Sequence, residues 1–559
     1  MNRREFIEFF SSIFLASFLK IPTGEGAGGK GWSLNRYFEE FLTSREYNFP
    51  YPEEFEFAER IMPFHRTDGN TSSWKGYLNL FTRSRVDVKI YISDDIGTLL
   101  HERPYSFSGV EGNLDLLFSL DNMGKMVFYQ VFYNAGNGFK PFSPPKAFKN
   151  PKYAENPVIF MTADTHIFDD NYYLGKAVKS SSPITDNLEG SFFHYYLKKS
   201  FHRRINPRLE KDPNLRPQRL RNIFHLAQSF AFMIKHSELP DAIFKLGDDL
   251  GLQRYRYERQ GLSNDDRKNA ELLWKRERKI WSVITPLVPV YQVIGNHDGE
   301  NGWEPWTRPH AIRWRKKVFK QPGEREGGSK DQDYYTVEFG NDVQFIVLNV
   351  VGYMRDEPVQ PEKWTLGKVQ FEWFKRVLSE GKYSKRFVLF HHVLGGMPRN
   401  ASGMKRGGYG RGPLFTREDY EKYSNIVDPD KVEQVKITEI AVKHGVRGFF
   451  YGHDHIHFLK EYDDFFAMCV GTTNEVVEEA LWQRDKNGWV REYGLPEDFR
   501  FFNSPVLEKI SISKSKMDIK TVCSSVPDKT SNLFKLGARI GQILAQSQIT
   551  FRKKGYQKR

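Results

Sequence analysis

The hydrophobic pattern changes character partway along the chain. Over residues 64–150, apolar and polar positions alternate, as in Val86-Asp87-Val88-Lys89-Ile90-Tyr91-Ile92, Leu114–Leu120 and Val127–Tyr133. Gly, Asn and Asp clusters separate these runs. Short alternating strands with turns between them predict a small all-β, antiparallel sandwich. Pro141, Pro144, Pro145 and Pro151 then mark a linker. Beyond Asn156 the apolar runs become continuous and take turns with segments of helical period. That rhythm predicts an α/β (α+β) domain over residues 157–525, a mixed sheet covered by helices. The expected strands are Val158–Thr162, Ala242–Leu246, Val288–Ile294, Phe387–Phe390, Val446–Tyr451 and Phe465–Val470. The expected helices are Leu220–Ile234, Ala270–Ile284, Leu366–Leu378 and Val432–His444. One hairpin is expected between Tyr334–Gly340 and Val343–Val351, and a closing hairpin between Val506–Ser513 and Met517–Val522. Residues 30–63 have no clear period and read as a linker. Residues 526–559 read as a basic tail that begins with an amphipathic helix at Leu533–Leu544.

Five of these strand ends carry the same chemistry. Apolar runs stop abruptly at Asp164-Thr165-His166, Gly247-Asp248-Asp249, Gly295-Asn296-His297-Asp298, His391-His392 and Gly452-His453-Asp454-His455. In sheets with helical crossovers, ligands bind beyond the carboxyl ends of the strands. Carboxylate, amide oxygen and imidazole suit zinc, iron or manganese, and the absence of thiolate from these loops argues against soft-metal sites. The expectation is that the five ends converge on one two-metal site. Asp248, with two oxygens, could bridge the ions. Such a pair acidifies water, clamps phosphate oxygens and offsets the charge of in-line attack. His297, beside Asn296, suits protonation of the leaving group, with Asp298 or Asp249 to orient it. Either His391 or His392 could be the ligand from its strand end.

Composition narrows the setting. The chain has 559 residues, 39% hydrophobic, with two cysteines and a formal net charge of +13. That length implies more than one domain, and the charge favours anionic partners. Cys469 and Cys523 make no disulfide framework, although one bridge between them is open. Residues 1–29 have the layout of an export signal: Arg3-Arg4 precedes Phe6-Ile7, the apolar stretch Phe9–Leu19 follows, then Gly24–Gly29. The pair of arginines resembles a twin-arginine signal, which carries folded, metal-loaded proteins to the periplasm or beyond. No segment reaches the roughly 20 apolar residues of a membrane-spanning helix. The chain lacks a helix-turn-helix, zinc-finger or stacking-platform signature, so no specific nucleic-acid partner is expected. The oligomeric state is not legible.

Asp164-x-His166, Gly247-Asp248, Gly295-Asn296-His297-Asp298, His391 and Gly452-His453-x-His455 resemble, in order and spacing, the five-block signature of the calcineurin-like metallophosphoesterases. Tyr334-Tyr335 and Gly367-x-x-Gln370-x-x-Trp373 agree with it, and the preceding β-region is similar to the N-terminal module of the alkaline phosphatase D and purple acid phosphatase branches. The resemblance implies a four-layer fold, two mixed sheets face to face with helices outside. It implies a metal-dependent phosphohydrolase for phosphate mono- or diesters, small or macromolecular, in which hydroxide held between the ions attacks. Asp164, His166 and His455 would hold one ion, Asn296, His391 and His453 the other; Asp248 would bridge, and His297 would be the catalytic histidine. One position departs from the pattern. Purple acid phosphatases place a tyrosine ligand three residues after the bridging Asp, where this chain has Gly251, so no tyrosinate-to-iron absorption band is expected. The alternative reading is an exported surface-binding protein of the same fold with structural metals.

Overall fold

Alternation along β-strands dictates which faces of this molecule are buried. In the stretch Val343-Gln344-Phe345-Ile346-Val347, Phe345 and Val347 turn to one core while Ile346 turns to another. A strand apolar on both faces must be covered on both sides. The computed structural model describes residues 52–68, 71–166, 239–250, 252, 265–282, 284–301, 305–352, 363–395, 410, 412, 414–423, 428–454, 457–472, 506–524 and 542–551. The signal at residues 1–29, the helix expected at 220–234, positions 533–541 of the helix expected near the C-terminus and His455 lie outside them.

The N-terminal region is all-β. Its strands are β1 (Arg60–Asp68), β2 (Thr71–Ser93), β3 (Tyr105–Ser119), β4 (Met126–Asn134), β5 (Lys140–Pro141) and β6 (Lys146–Lys149), all paired antiparallel. The long strand β2 organises it. Its first half pairs with β1, its second half with β4, and β3 runs beside both, with register shifts between Thr82 and Val88. Bulges of this kind sharpen a strand's bend. The alternating residues Val86, Val88, Ile90 and Ile92 enter a core of their own with Tyr129, Val131 and Phe148.

The following strands and helices are β7 (Val158–Thr162), β8 (Ala242–Lys245), α1 (Asp266–Trp281), β9 (Val290–Gln292), α2 (Arg308–Val318), β10 (Tyr335–Phe339), β11 (Val343–Val347), α3 (Lys368–Ser379) and β12 (Lys385–Leu389). Then come α4 (Arg417–Tyr423), α5 (Glu433–Lys443), β13 (Val446–Tyr451), β14 (Phe458–Glu461), β15 (Phe466–Cys469), β16 (Val506–Ile512), β17 (Lys516–Cys523) and β18 (Ile543–Thr550). They build two mixed sheets, ordered β10-β11-β12-β13-β15-β14 and β18-β17-β16-β7-β8-β9. Between the sheets lies a core that takes Ile159, Phe244 and Tyr291 from one and Phe345, Phe387 and Phe450 from the other. Helices α3 and α5 cover the outer face of the first sheet through Trp373, Phe374, Val435 and Ile437. This is the metallophosphoesterase architecture expected from the sequence. Among the described residues, no helix is long and apolar enough to cross a membrane.

One expectation changes, and one open question closes. Residues 543–550, expected to finish an amphipathic helix and open a basic tail, form the edge strand β18 antiparallel to β17. Ala545, Ser547 and Ile549 are half-buried at a spacing of two, a pattern that small polar residues hide from hydrophobicity alone. Cys469 and Cys523 stand as two buried thiols rather than a disulfide.

Backbone carbonyls join the β-region to the rest. Arg60 donates to the Val290 carbonyl at 2.8 Å, Arg278 to Ala58 at 2.7 Å, and the Tyr129 hydroxyl to Pro286 at 2.8 Å. One buried acid in this frame works against stability. Glu338 on β10 accepts from the Gln344 amide at 3.2 Å, and burial pushes its carboxyl up to about 7. A raised carboxyl favours the folded state only while protonated. The folded chain therefore loses stability as pH climbs from about 4.5 to 7, by roughly 3 kcal/mol at 1.36 kcal/mol per pH unit. Glu338→Gln keeps an acceptor for Gln344. It should raise the unfolding free energy by that order at pH 8 and leave it unchanged at pH 4; equal shifts in denaturant titrations at both pH values would refute the assignment.

Candidate metal centre

All five motif loops leave the carboxyl ends of parallel strands. β7, β8 and β9 run parallel in one sheet, β12 and β13 parallel in the other. Their ends meet at the shared edge of the two sheets. Hydrogen bonds tie neighbouring loops within each sheet, Asp164 N to Gly247 O, His166 N to Asp248 O and Gly452 N to His391 O, each at 2.9 Å, and His453 N donates across the sheets to Asp164 Oδ2 at 2.9 Å. Close approach needs small residues. A Cβ on Gly295 would fall on the Asp248 backbone nitrogen, and one on Gly247, at φ +90°, would strike the His391 ring.

The geometry brings the motif side chains together as two groups that share one residue. Ligand atoms of Asp248, His391 and His453 lie within 4.8 Å of one another, as do those of Asp164, His166 and Asp248. Asn296 joins the first group, with its Oδ1 3.0 Å from His391 Nε2. His391 Nδ1 donates to the Leu246 carbonyl at 2.7 Å, which turns Nε2 toward Asp248 and Asn296. His392, the other candidate on that strand end, packs behind the donor groups, its ring centroid 5.2 Å from that of His453. Its Nδ1 bonds the Val393 carbonyl, and its ring packs near Trp364 and beneath Gly410.

The backbone is strained at these positions. Asp164, His166, Asp248 and His453 have φ of 54°, 43°, 55° and 68°. They are four of the six described non-glycine residues with positive φ. Each such conformation costs on the order of 1–3 kcal/mol and persists where its surroundings over-determine it, which is common at functional sites.

Asp248 is the electrostatic hub. Its Oδ1 accepts the His297 backbone N–H at 2.7 Å. Its buried Oδ2 accepts no well-formed hydrogen bond and faces three imidazoles, at 3.2 Å from His391 Nε2, 3.6 Å from His297 Nε2 and 4.0 Å from His166 Nε2. Burial alone would raise the Asp248 carboxyl, but His297 and His391 hold it well below the ordinary range. Burial would likewise lower His391; the Asp248 carboxylate outweighs it and holds the imidazole up at about 9. Burial, reinforced by Asp248, pushes Asp164 well up. A shielded oxygen among imidazoles and a second buried carboxylate fit a bound cation, which would take the place of the protons these groups otherwise share.

His297 and His166 sit at the open side, their side chains 16% and 12% exposed, with ring centroids 5.2 Å apart. Neither carboxylate suggested to orient His297 spends its oxygens that way. Asp298 accepts three backbone N–H groups, from Gly295 at 2.8 Å, Leu250 at 2.9 Å and Asp248 at 3.1 Å. Asp249 accepts from Thr165 and Gln292, each at 3.0 Å, and pairs with Lys245 at 3.1 Å. Sequence reasoning passed over Lys245, Gln292 and Glu277. The available signal was a lysine inside the apolar run Ala242-Ile243-Phe244-Lys245-Leu246, since a buried ammonium requires a buried counter-charge.

A family model described as calcineurin-like phosphoesterase matches residues 157–457. No curated protein sequence matches the chain. Among solved structures, the chain is similar to the purple acid phosphatase PPD1 from yellow lupin (Lupinus luteus) seeds at 12% identity and a TM-score of 0.50. The match covers 88% of this chain and 74% of that one. It also matches GAP50, described as the anchor in the inner membrane complex of Plasmodium, at 11% identity and a TM-score of 0.34, over 71% of this chain and 90% of that one. At 12% identity the likeness to the lupin structure speaks to fold alone.

Proposed function

The chain belongs to the calcineurin-like phosphoesterase family, and from that membership we propose that it is a binuclear metal-dependent phosphohydrolase acting on phosphate mono- or diesters. One observation carries the binuclear part of this reading: two donor groups that meet in a single carboxylate, Asp248. Cations of manganese, iron or zinc held there would supply the Lewis acidity that activates water and draws charge from the phosphate. Asp164 and His166 belong to one group. His391, His453 and Asn296 belong to the other, and Asp248 joins them. His455 is proposed for the first group on its motif position alone. His297, outside both groups and partly exposed, would give a proton to the departing oxygen. Asp298 acts as a brace for the loops rather than as a proton carrier, because backbone amides take its oxygens. The amino-terminal arginine pair and apolar stretch support export of the folded chain.

Purified full-length protein should carry two cations per chain and hydrolyse an aryl phosphate mono- or diester. A chelator should abolish turnover and added manganese, iron or zinc restore it. Cation binding has a second signature. His391 keeps its proton up to about pH 9 in the chain alone, so binding at pH 7.5 should release a proton, and the release should fade as pH rises through 9. Calorimetry in buffers of different ionisation enthalpy reads this directly. Two cations with no turnover of either ester class would instead indicate structural metals in a surface-binding protein.

A further inference from the structure

Behind the motif loops lies a charged network that no part of the proposed chemistry uses. Lys245, Asp249 and Glu277 have no exposed surface, and neither do Thr165 and Gln292. Lys245 Nζ sits 3.1 Å from Asp249 Oδ2 and is also ion-paired with Glu277. The Phe319 and Trp281 rings flank the ammonium, with centroids 4.4 Å and 5.0 Å away. Burial, partly countered by Lys245, pushes Glu277 up to about 7. A buried arrangement of this kind is costly to assemble and seldom adds net stability over apolar packing. Its retention asks for another role.

The connectivity supplies one. Lys245 ends β8, and Asp249 is four residues on. For their side chains to meet, the chain must double back through Gly247 at φ +90° and Asp248 at φ 55°. The ion pair thus closes the bend that strains Asp248. Asp249 then reaches one further motif loop and the strand that feeds another. Its Oδ1 takes the hydroxyl of Thr165, between Asp164 and His166, which are themselves at φ 54° and 43°. Its Oδ2 takes the amide of Gln292, at the end of the strand that leads to Asn296 and His297. Two motif loops and the strand leading into a third are tied to one carboxylate, and one ammonium faces it.

We propose that Lys245 and Asp249 are positioning residues that hold Asp248 and the Asp164–His166 loop in cation-binding geometry. The proposal rests on the two-cation reading of the site but not on its phosphoesterase activity.

The sign of one substitution separates geometry from charge. Lys245→Met removes a positive charge near the centre, and by Coulomb's law alone should tighten cation binding. If Lys245 acts through geometry, binding must weaken instead. Loss of groups that orient metal ligands typically costs about 10–100-fold in affinity. Thr165→Val removes a single hydrogen bond and preserves the side chain's shape. Both full-length variants should be titrated with zinc against a chelator, and their cation-free unfolding midpoints measured alongside. We expect at least about 10-fold weaker zinc binding in each, within that range. A purely structural role would lower the midpoints and leave the zinc affinity of the folded chain unchanged, which overturns the proposal, as does tighter binding by Lys245→Met. Should Lys245→Met fail to fold, Thr165→Val decides alone, and unchanged affinity there overturns it. A wild-type chain that holds cations but cleaves no phosphoester leaves the proposal standing and removes the enzyme reading; one that holds no cation removes both.

Discussion

Asp248→Asn should abolish turnover, lowering kcat/KM on the order of 1000-fold or more, equivalent to about 4 kcal/mol of transition-state stabilisation. The size follows from what the two oxygens do. Oδ1 takes the His297 backbone N–H at 2.7 Å, and Oδ2 faces the imidazoles of His391, His297 and His166. An asparagine matches the shape but has one oxygen. If that oxygen keeps the His297 contact, an NH2 group confronts three ring nitrogens and cannot ligate a cation. If it flips, the His297 loop loses its anchor. Either way the two donor groups lose their common member. The substitution also removes the charge that opposes burial at His391, so that imidazole should fall from about 9. Proton release on residual cation binding at pH 7.5 should therefore shrink along with activity. Near-wild-type turnover with two retained cations would end the bridging assignment. The fold should survive, because Gly247, Gly295 and the Asp298 brace are untouched.

Why the centre was legible in the sequence is itself physical. A strand apolar on both faces announces burial, and its abrupt stop at Gly announces a loop at a sheet edge. Asp, Asn and His placed there have no packing role to explain them. The strands β7, β8, β12 and β13 were readable within a residue or two for that reason, β16 and β17 from their alternation, and the hairpin between β10 and β11 from its turn at Gly340-Asn341-Asp342. Helix α3 was readable from the 3.6-residue spacing of Gln370, Trp373, Phe374 and Val377. Other features gave no local signal. Helix α2 buries Arg315 in a bidentate pair with Glu300, and a buried arginine leaves no apolar trace. Strand β18 carries too few apolar residues to show its period of two, and its identity comes from pairing with β17. The choice between His391 and His392 turns on which ring meets the Leu246 carbonyl, a contact 145 residues away in sequence. The roles of Asp249 and Asp298 were equally hidden, because each is defined by partners from other loops.

The second large effect belongs to His297, and its value depends on the leaving group. His297→Ala should cut kcat by about 100- to 10,000-fold for an alkyl phosphate, the range typical of a lost general acid. For a nitrophenyl phosphate, whose leaving oxygen needs little protonation, the loss should be far smaller. KM should change little in both cases, and the cation content should stay at two. The structure explains why the variant is clean. The His297 ring lies outside the two donor groups, while the contact that positions Asp248 runs through the His297 backbone N–H, which alanine retains. The Asp298 carboxylate continues to hold Gly295, Leu250 and Asp248 through their amides. What disappears is one partly exposed imidazole whose Nε2 lies 3.6 Å from Asp248 Oδ2. An equal loss for both leaving groups would mean that the ring orients the phosphate instead of donating to the departing oxygen. Loss of a cation would mean that it is a ligand. Because the two substitutions act through different atoms of one hydrogen-bonded pair, Asp248→Asn should erase the leaving-group dependence that His297→Ala creates: with the shared ligand lost, no accelerated step remains for the imidazole to assist.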